Sequence, residues 1–290
     1  MDREPFMSDT KYFTADNLKL AYTVSGEGPP LVLIHGWPFH KANFRHLIPL
    51  LSKSYTCYAL DSAGMGESEW TKDSDLGFHA HVDRTMAFAD HLGLTDYAVL
   101  GHDTGGTIAR LLAVKDYKRV TTITAIDTEI PFQFPPTVTL LQKLHRNPLT
   151  RLILKAALSS ETFVKSGSGY GGFFADASHF TDDFMQLFVH SWHRTRHAYD
   201  GLMAYLCAVD PAVVDTLDQV HADTKVPMLF IWGKRDPIFP VKYAREMVAK
   251  IPGDARLVEI DKARFLPHEE QPEAVAEAVL AFLKTSDVAA

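Results

Sequence analysis

Gly101-His102-Asp103-Thr104-Gly105-Gly106 decides the reading of this chain. An apolar run, Tyr97-Ala-Val-Leu-Gly, leads into it, and a helix-like run, Thr107-Ile-Ala-Arg-Leu-Leu-Ala-Val, follows. Strand, sharp turn and helix in that order are the setting of a nucleophile elbow. Gly101, Gly105 and Gly106 lack the side chains that would block a close approach of strand and helix. The residue at the apex is Asp103, where such a turn usually carries a serine. A carboxylate there attacks saturated carbon, opening an epoxide or displacing a halide, and forms an alkyl ester on the protein. The plain alternative is an ordinary Asp-Gly-type turn, and the neighbouring segments decide between the two.

Outward from the elbow, strand-like and helix-like runs alternate. Leu18–Thr23 alternates as a strand does, and Leu31–Ile34 is a short apolar run of the kind buried in a parallel sheet. Phe44, Leu47, Leu50 and Leu51 fall on one side of a helical pattern, followed by a strand at Tyr55–Leu60 and an amphipathic helix at Phe78–Leu92. Thr121–Ile126 closes the first half. Pro131 to about Thr224 shows helical patterns, aromatics and the glycine-rich Ser166–Gly172, with no clear strand. The alternation resumes at Val226–Trp232, then runs through Val241–Ile251, Arg256–Ile260 and Pro272–Lys284. This predicts an α/β fold: a mostly parallel, doubly wound sheet formed by residues 1–130 and 225–290, with residues 131–224 as a helical lid inserted between two strands. Open sheets of this kind place their sites at the carboxyl ends of the strands, under such a lid.

At 290 residues the chain can bury one large core, and 46% hydrophobic with 22% charged residues is ordinary for a globular protein. The formal charge of -7 argues against a nucleic-acid partner, whose phosphates need basic surface, and against an anionic membrane. Cys57 and Cys207 are too few and too far apart for a disulfide scaffold, which suits a reducing compartment. Met1–Met7 is charged and has no apolar core, so no secretory leader is expected, and no apolar stretch reaches the length of a membrane span. The expectation is a cytoplasmic monomer or homodimer that acts on a small apolar organic substrate without metal or cofactor.

Three segments read together with Asp103. His35-Gly36-Trp37-Pro38 follows the strand Leu31–Ile34, where the backbone of this layout completes an oxyanion hole. Its donors would be the N–H groups of Trp37 and Thr104, with His35 beside them. Asp61–Ser68 reads as a scaffold turn. Gly233-Lys-Arg-Asp236-Pro-Ile-Phe-Pro places Asp236 at a strand's carboxyl end, where the acid of a triad orients a histidine.

Together these segments resemble the α/β-hydrolase superfamily, in its aspartate-nucleophile branch of epoxide hydrolases and dehalogenases, from about Leu18 to Leu283. In that branch HGxP, GHDxGG, GxxDxxxP and a terminal Gly-His motif carry the chemistry. The first three are present. The fourth is not: where the family reads Gly-His-Phe-Pro-His, this chain reads Arg264-Phe265-Leu266-Pro267-His268. A gap-free match sets Phe265 on the catalytic histidine and His268 on a second, non-catalytic one; a shifted loop would instead aim His268 at Asp103. Alkylation of Asp103 does not need the histidine, but hydrolysis of the ester needs a base to activate water. The expectation is a protein that forms the ester and then stalls.

The resemblance also implies lid tyrosines that protonate an epoxide oxygen. Tyr205 falls where one is expected, and Tyr170 is the other candidate. Haloalkane dehalogenases carry a tryptophan directly after the nucleophile, and fluoroacetate dehalogenases an arginine; Thr104 stands there in this chain, leaving Trp37 and Trp192 as possible N–H donors to a halide. Arg110 reads as a surface or structural residue. His190, His193 and His197 have the spacing of one helical face, read as lid surface or pocket wall rather than metal ligands. Phe132, Phe134, Phe173 and Phe174 suggest an apolar pocket. Two other readings stay open: a non-hydrolytic enzyme using Asp103 as a base, as in a cyclisation or elimination, and a ligand-binding protein that has lost turnover.

Overall fold

Strand β5 (Tyr97–His102) is buried along its whole length, as a central strand covered on both faces must be. The computed structural model describes residues 10–287, so the leader reading of Met1–Met7 lies outside the described residues. Around β5 run β1 (Lys11–Ala15), β2 (Leu18–Ser25), β3 (Pro30–Ile34), β4 (Thr56–Leu60), β6 (Val120–Ile126), β7 (Met228–Gly233) and β8 (Ala255–Ile260). They form one eight-stranded sheet in the order β1-β2-β4-β3-β5-β6-β7-β8. The first two strands pair antiparallel and β3 to β8 are parallel throughout, with β3 against β5 from Leu31–Ala98 to Ile34–Gly101. β1 has no counterpart in the sequence pattern above.

Helices Phe78–Leu92 and Thr104–Lys115 pack on each other, and Pro272–Asp287 lies against β6, β7 and β8. The order reverses around β3, with β4 on one side and β5 on the other, which opens a crevice at the carboxyl ends of those strands. The loops carrying His35–Pro38 and Asp103 both lie there.

Between β6 and β7 the chain is helical, as its pattern predicts. Helices Pro136–Arg146, Pro148–Ser159 and Arg196–Ala208 share a small core of Leu154, Tyr199, Met203 and Leu206, against which Trp37 packs from below. Two local differences emerge. Helix Leu217–Asp223, counted with the insertion by sequence, packs on Thr104–Lys115 instead. The three lid histidines do not share a helix: Thr195 is extended and caps Arg196–Ala208 by accepting the Ala198 N–H, so His197 opens a new helix and stacks on Trp70. Among the described residues no three His, Cys, Asp or Glu side chains are grouped to hold a metal, and no helix is long and apolar enough to cross a membrane.

Candidate active site

The turn after β5 brings backbone against backbone. A Cβ on Gly105 would strike the carbonyl of Ile34, and one on Gly101 the carbonyl of Gly105. Asp103 sits at the apex with φ 53° and ψ -126°, a left-handed region that a non-glycine residue enters only when its surroundings impose it. Its N–H reaches the carbonyls of Ile126 and Asp127, and its own carbonyl accepts from Gly106 N–H and the Thr128 hydroxyl, at 2.8 Å each.

The Asp103 carboxylate lies where two backbone N–H groups converge. Trp37 N–H donates to Oδ2 at 2.9 Å, and the Thr104 N–H also bonds to the carboxylate. The structure thus brings the N–H groups of Trp37 and Thr104 together at Asp103. Burial raises the Asp103 carboxyl well above the usual range; nearby Glu129 adds to this, and the two N–H groups oppose it.

Above it opens a cavity of about 450 Å³, lined by Asp103, Trp37, Thr104, Glu129 and Phe265 below and by Phe134, Phe173, Tyr170, Trp192 and Tyr199 from the lid. Phe265, 2% exposed, forms part of this wall, with its ring 4.7 Å from that of His102 and 5.0 Å from that of Phe173. Phe134 and Phe173 line the cavity as expected; Phe132 is exposed, and Phe174 is buried against Phe180 and Phe184.

Several sequence expectations need correcting. Tyr205 does not line the cavity: its hydroxyl lies 3.1 Å from Thr104 Oγ1, behind the elbow, and its ring packs on His81. Tyr199, six residues earlier on the same helix, and Tyr170 are the tyrosines on the wall. Trp37 Nε1 donates to Leu202 O at 2.9 Å and so is not a free donor to a halide. His35 is not on the cavity either; it donates from Nδ1 to Gly36 O and accepts Ser62 N–H at Nε2, tying the loop after β3 to the turn after β4. Burial lowers its pKa to about 4. Asp61 behaves as a scaffold residue, holding Lys41 and the Glu67 N–H.

No histidine below the lid is positioned as a base. His268 is buried, packs on His102 and Phe44, lies off the cavity, and is held neutral by desolvation. His102 has both ring nitrogens engaged, Nε2 donating to Phe265 O and Nδ1 accepting from Asn43 Nδ2, each at 3.0 Å. Burial lowers its pKa to about 3.

Asp236 is buried after β7, with Oδ1 accepting Ile238 N–H at 2.7 Å. Its Oδ2 finds no N–H or hydroxyl donor. The group beside it is the carboxyl of Asp127, which accepts Gly233 N–H and hydrogen-bonds to Asp236. Such a bond requires a proton between the two acids. Desolvation raises both: Asp236 to about 7, against the lowering effect of its bonds to Asp127 and to the Ile238 and Phe239 N–H groups, and Asp127 well above its usual range, where the neighbouring Asp236 adds to the rise.

Asp127, Glu129 and Arg110 are the site residues that sequence reasoning missed or misplaced. The signal for the first two was their place, two carboxylates in the loop directly after β6 at the sheet's carboxyl edge. Arg110 is fully buried, not a surface residue, and bonds to Thr107 and Thr128 hydroxyls and the Glu129 carbonyl at 2.7–2.9 Å.

Residues 29–272 match the family described as alpha/beta hydrolase fold. The chain belongs to that family. This hydrolase is 27% identical over 286 residues to haloalkane dehalogenase 2 of Mycobacterium bovis, covering 96% of each chain. A soluble epoxide hydrolase of Corynebacterium sp. strain C12 is 40% identical over 96 residues, 31% of this chain and 32% of that one. Among solved structures, haloalkane dehalogenase DbeA from Bradyrhizobium elkani USDA94 superposes with a TM-score of 0.81 over 97% of this chain and 99% of that one. An alpha/beta hydrolase fold protein from Burkholderia ambifaria gives 0.80 over 93% and 97%. At 18% and 23% identity, these two likenesses bear on the fold of the hydrolase.

Proposed function

We propose that this hydrolase acts on a small apolar epoxide, with Asp103 as the nucleophile that forms an alkyl-enzyme ester. The observation that carries the reading is the Asp103 carboxylate itself, held at Oδ2 by the Trp37 N–H on the wall of an apolar cavity. With one oxygen fixed by backbone donors, the other is free to attack carbon. Once the ester forms, Oδ2 becomes its carbonyl oxygen, already in place for the Trp37 and Thr104 donors to stabilise a tetrahedral intermediate. Phe265 occupies the wall where the resembling enzymes carry histidine, and it can accept no proton. The second half-reaction is therefore the slow one, and ester accumulates. Tyr170 and Tyr199, rather than Tyr205, are the lid tyrosines on the cavity wall.

Halide displacement is the second reading, favoured by the full-length likeness to a haloalkane dehalogenase. Trp192 is the cavity indole that would meet the halide. Intact-protein mass spectrometry after incubation with epoxides and halogenated alkanes and acids tests both. A mass increase equal to the epoxide, absent in Asp103→Asn, supports the ester. No Asp103-dependent adduct and no product from any of these would move the site to acid–base chemistry or to ligand binding.

A further inference from the structure

We propose that Glu129 works both halves of the reaction at Asp103, protonating the leaving oxygen as the ester forms and taking a proton from water as the ester is cleaved. This rests on Asp103 being the nucleophile. Glu129 follows β6, is 3% exposed, and lines the same cavity as Asp103. The two residues are linked through Thr128, whose hydroxyl lies 2.8 Å from Asp103 O and 3.2 Å from Glu129 Oε2. The Thr107 hydroxyl donates to the same Oε2 at 2.6 Å, fixing one edge of the carboxyl. Behind both hydroxyls stands Arg110, whose Nη2 reaches Thr107, Thr128 and the Glu129 carbonyl.

The charges explain why one group can serve as acid and then as base. Two carboxylates and a single buried guanidinium share this desolvated corner, so the resting site holds a proton on one of the carboxyls. The reactive form is the one with Asp103 ionised and that proton on Glu129. Attack of the Asp103 oxygen on an epoxide carbon forms one C–O bond and breaks another, and the departing alkoxide takes the proton of Glu129. Esterification has now removed the negative charge of Asp103, so Glu129 no longer faces a like charge and stays ionised beside Arg110. It then accepts a proton from water as the hydroxide oxygen bonds to Cγ of Asp103. Collapse expels the product alkoxide, which takes the proton of the newly formed Asp103 acid. Glu129 ends protonated and Asp103 ionised, the reactive form with which the cycle began. Retaining glycosidases alternate an acid and a base on one carboxyl by the same electrostatic logic. The competing cavity histidine, His193, is engaged in the lid, with Nε2 on Leu158 O at 3.1 Å and Nδ1 3.4 Å from Ser159 Oγ.

The test uses two probes on the full chain, styrene oxide, whose leaving oxygen needs a proton, and 1-bromobutane, whose leaving bromide needs none. In Glu129→Gln, Asp103 alkylation by styrene oxide should slow by about 10²–10⁴, the usual worth of a positioned acid, while alkylation by 1-bromobutane stays within about threefold. The butyl ester should then outlast that of the unaltered protein by about 10² or more. Glu129→Asp keeps a charge beside Arg110 but withdraws the carboxyl, so a purely structural role predicts unaltered rates and proton delivery predicts at least about a tenfold loss on the epoxide alone. Retained alkylation by 1-bromobutane reports that each variant is folded. Unchanged epoxide alkylation and adduct decay in both variants would remove Glu129 from the reaction and leave Asp103 in it. Absence of any adduct or product in the unaltered protein would overturn the nucleophile, and this assignment with it.

Discussion

Replacing Phe265 by histidine should add an imidazole base to the Glu129 carboxylate and speed cleavage of the slowly decaying ester. Phe265 lies between the rings of His102, Phe173, Phe239 and Phe39, with centroids 4.7–6.3 Å away. Imidazole is smaller, so the exchange loses apolar contact and buries a polar ring, a cost of about 1–3 kcal/mol if its N–H stays unpaired. The Oδ2 of Asp236, which lacks an N–H or hydroxyl donor, offers a partner and offsets part of that cost. A positioned base contributes about 10²–10⁴ to ester cleavage, or about 3–5 kcal/mol of barrier at 1.4 kcal/mol per tenfold. The assay preforms the butyl ester with 1-bromobutane, removes excess reagent, and follows loss of the 56 Da adduct, about the mass of C4H8, by intact mass spectrometry. Decay about 10²–10⁴ faster in Phe265→His than in the unaltered protein is expected, with the rate rising as Asp236 ionises near pH 7. Equal decay in a variant that still alkylates would show that position 265 is not the seat of a base. In the double variant with Glu129→Gln, histidine should restore ester cleavage but not protonation of an epoxide oxygen.

Other outcomes follow from the same geometry. Gly36→Ala drives a Cβ into the Asp103 side chain, and should cut alkylation by about 10² or more when the nucleophile shifts by an ångström. Arg110→Met leaves the Glu129 corner without its cation, and urea denaturation should register a loss of about 3–5 kcal/mol. Asp127 and Asp236 keep protons in the native protein that the unfolded chain releases near pH 4, so their stabilisation is full below that pH and is lost as pH rises through their native values, about 7 for Asp236 and well above the usual range for Asp127. Buried neutral His35, His81, His102 and His221 act in the opposite sense, but only below pH 6.5. Stability should therefore fall from pH 6.5 to 8, by up to about 1.4 kcal/mol per unit for each proton involved, and Asp127→Asn, which donates an amide N–H to Asp236 at every pH, should flatten that decline.

The parts of the site that were legible in the sequence are those fixed by local sterics. Gly105 must be small because the carbonyl of Ile34 leaves no room, and that constraint travels with the motif. The place of Phe265 was reached by counting because only a short turn, Asp261–Arg264, separates it from β8. The lid resisted the same treatment. Tyr199 and Tyr205 are six residues apart, about 600° around a helix, so periodicity puts them on different faces without saying which face meets substrate. Packing of Leu154 and Leu206 against Tyr199 decides that, and it depends on contacts distant in sequence. Arg110 and Glu129 were missed for a different reason. Arginine and glutamate are rarely fully buried unless paired, and their pairing through Thr107 and Thr128 appears only when the β6 loop meets the elbow helix.

Phenylalanine at position 265 also changes what the neighbouring acids must do. An ionised Asp236 would ordinarily need a cation or several donors in this desolvated pocket, and an imidazole supplies one. Without it, Asp236 is bonded by the Ile238 and Phe239 N–H groups and shares a proton with Asp127, while Asp127 is itself held by Gly233 N–H. The pair carries less charge than two free carboxylates, so the pocket tolerates them without a histidine. Meanwhile the Phe265 ring fills the space with apolar contacts, and its carbonyl holds His102 in the tautomer that Asn43 requires. The site is therefore satisfied around phenylalanine rather than left with a hole. It follows that histidine at 265 has to draw Asp236 away from Asp127 before it can act, so Asp127→Asn, which cannot receive Asp236's proton, should tune the gain in ester cleavage without touching alkylation by Asp103.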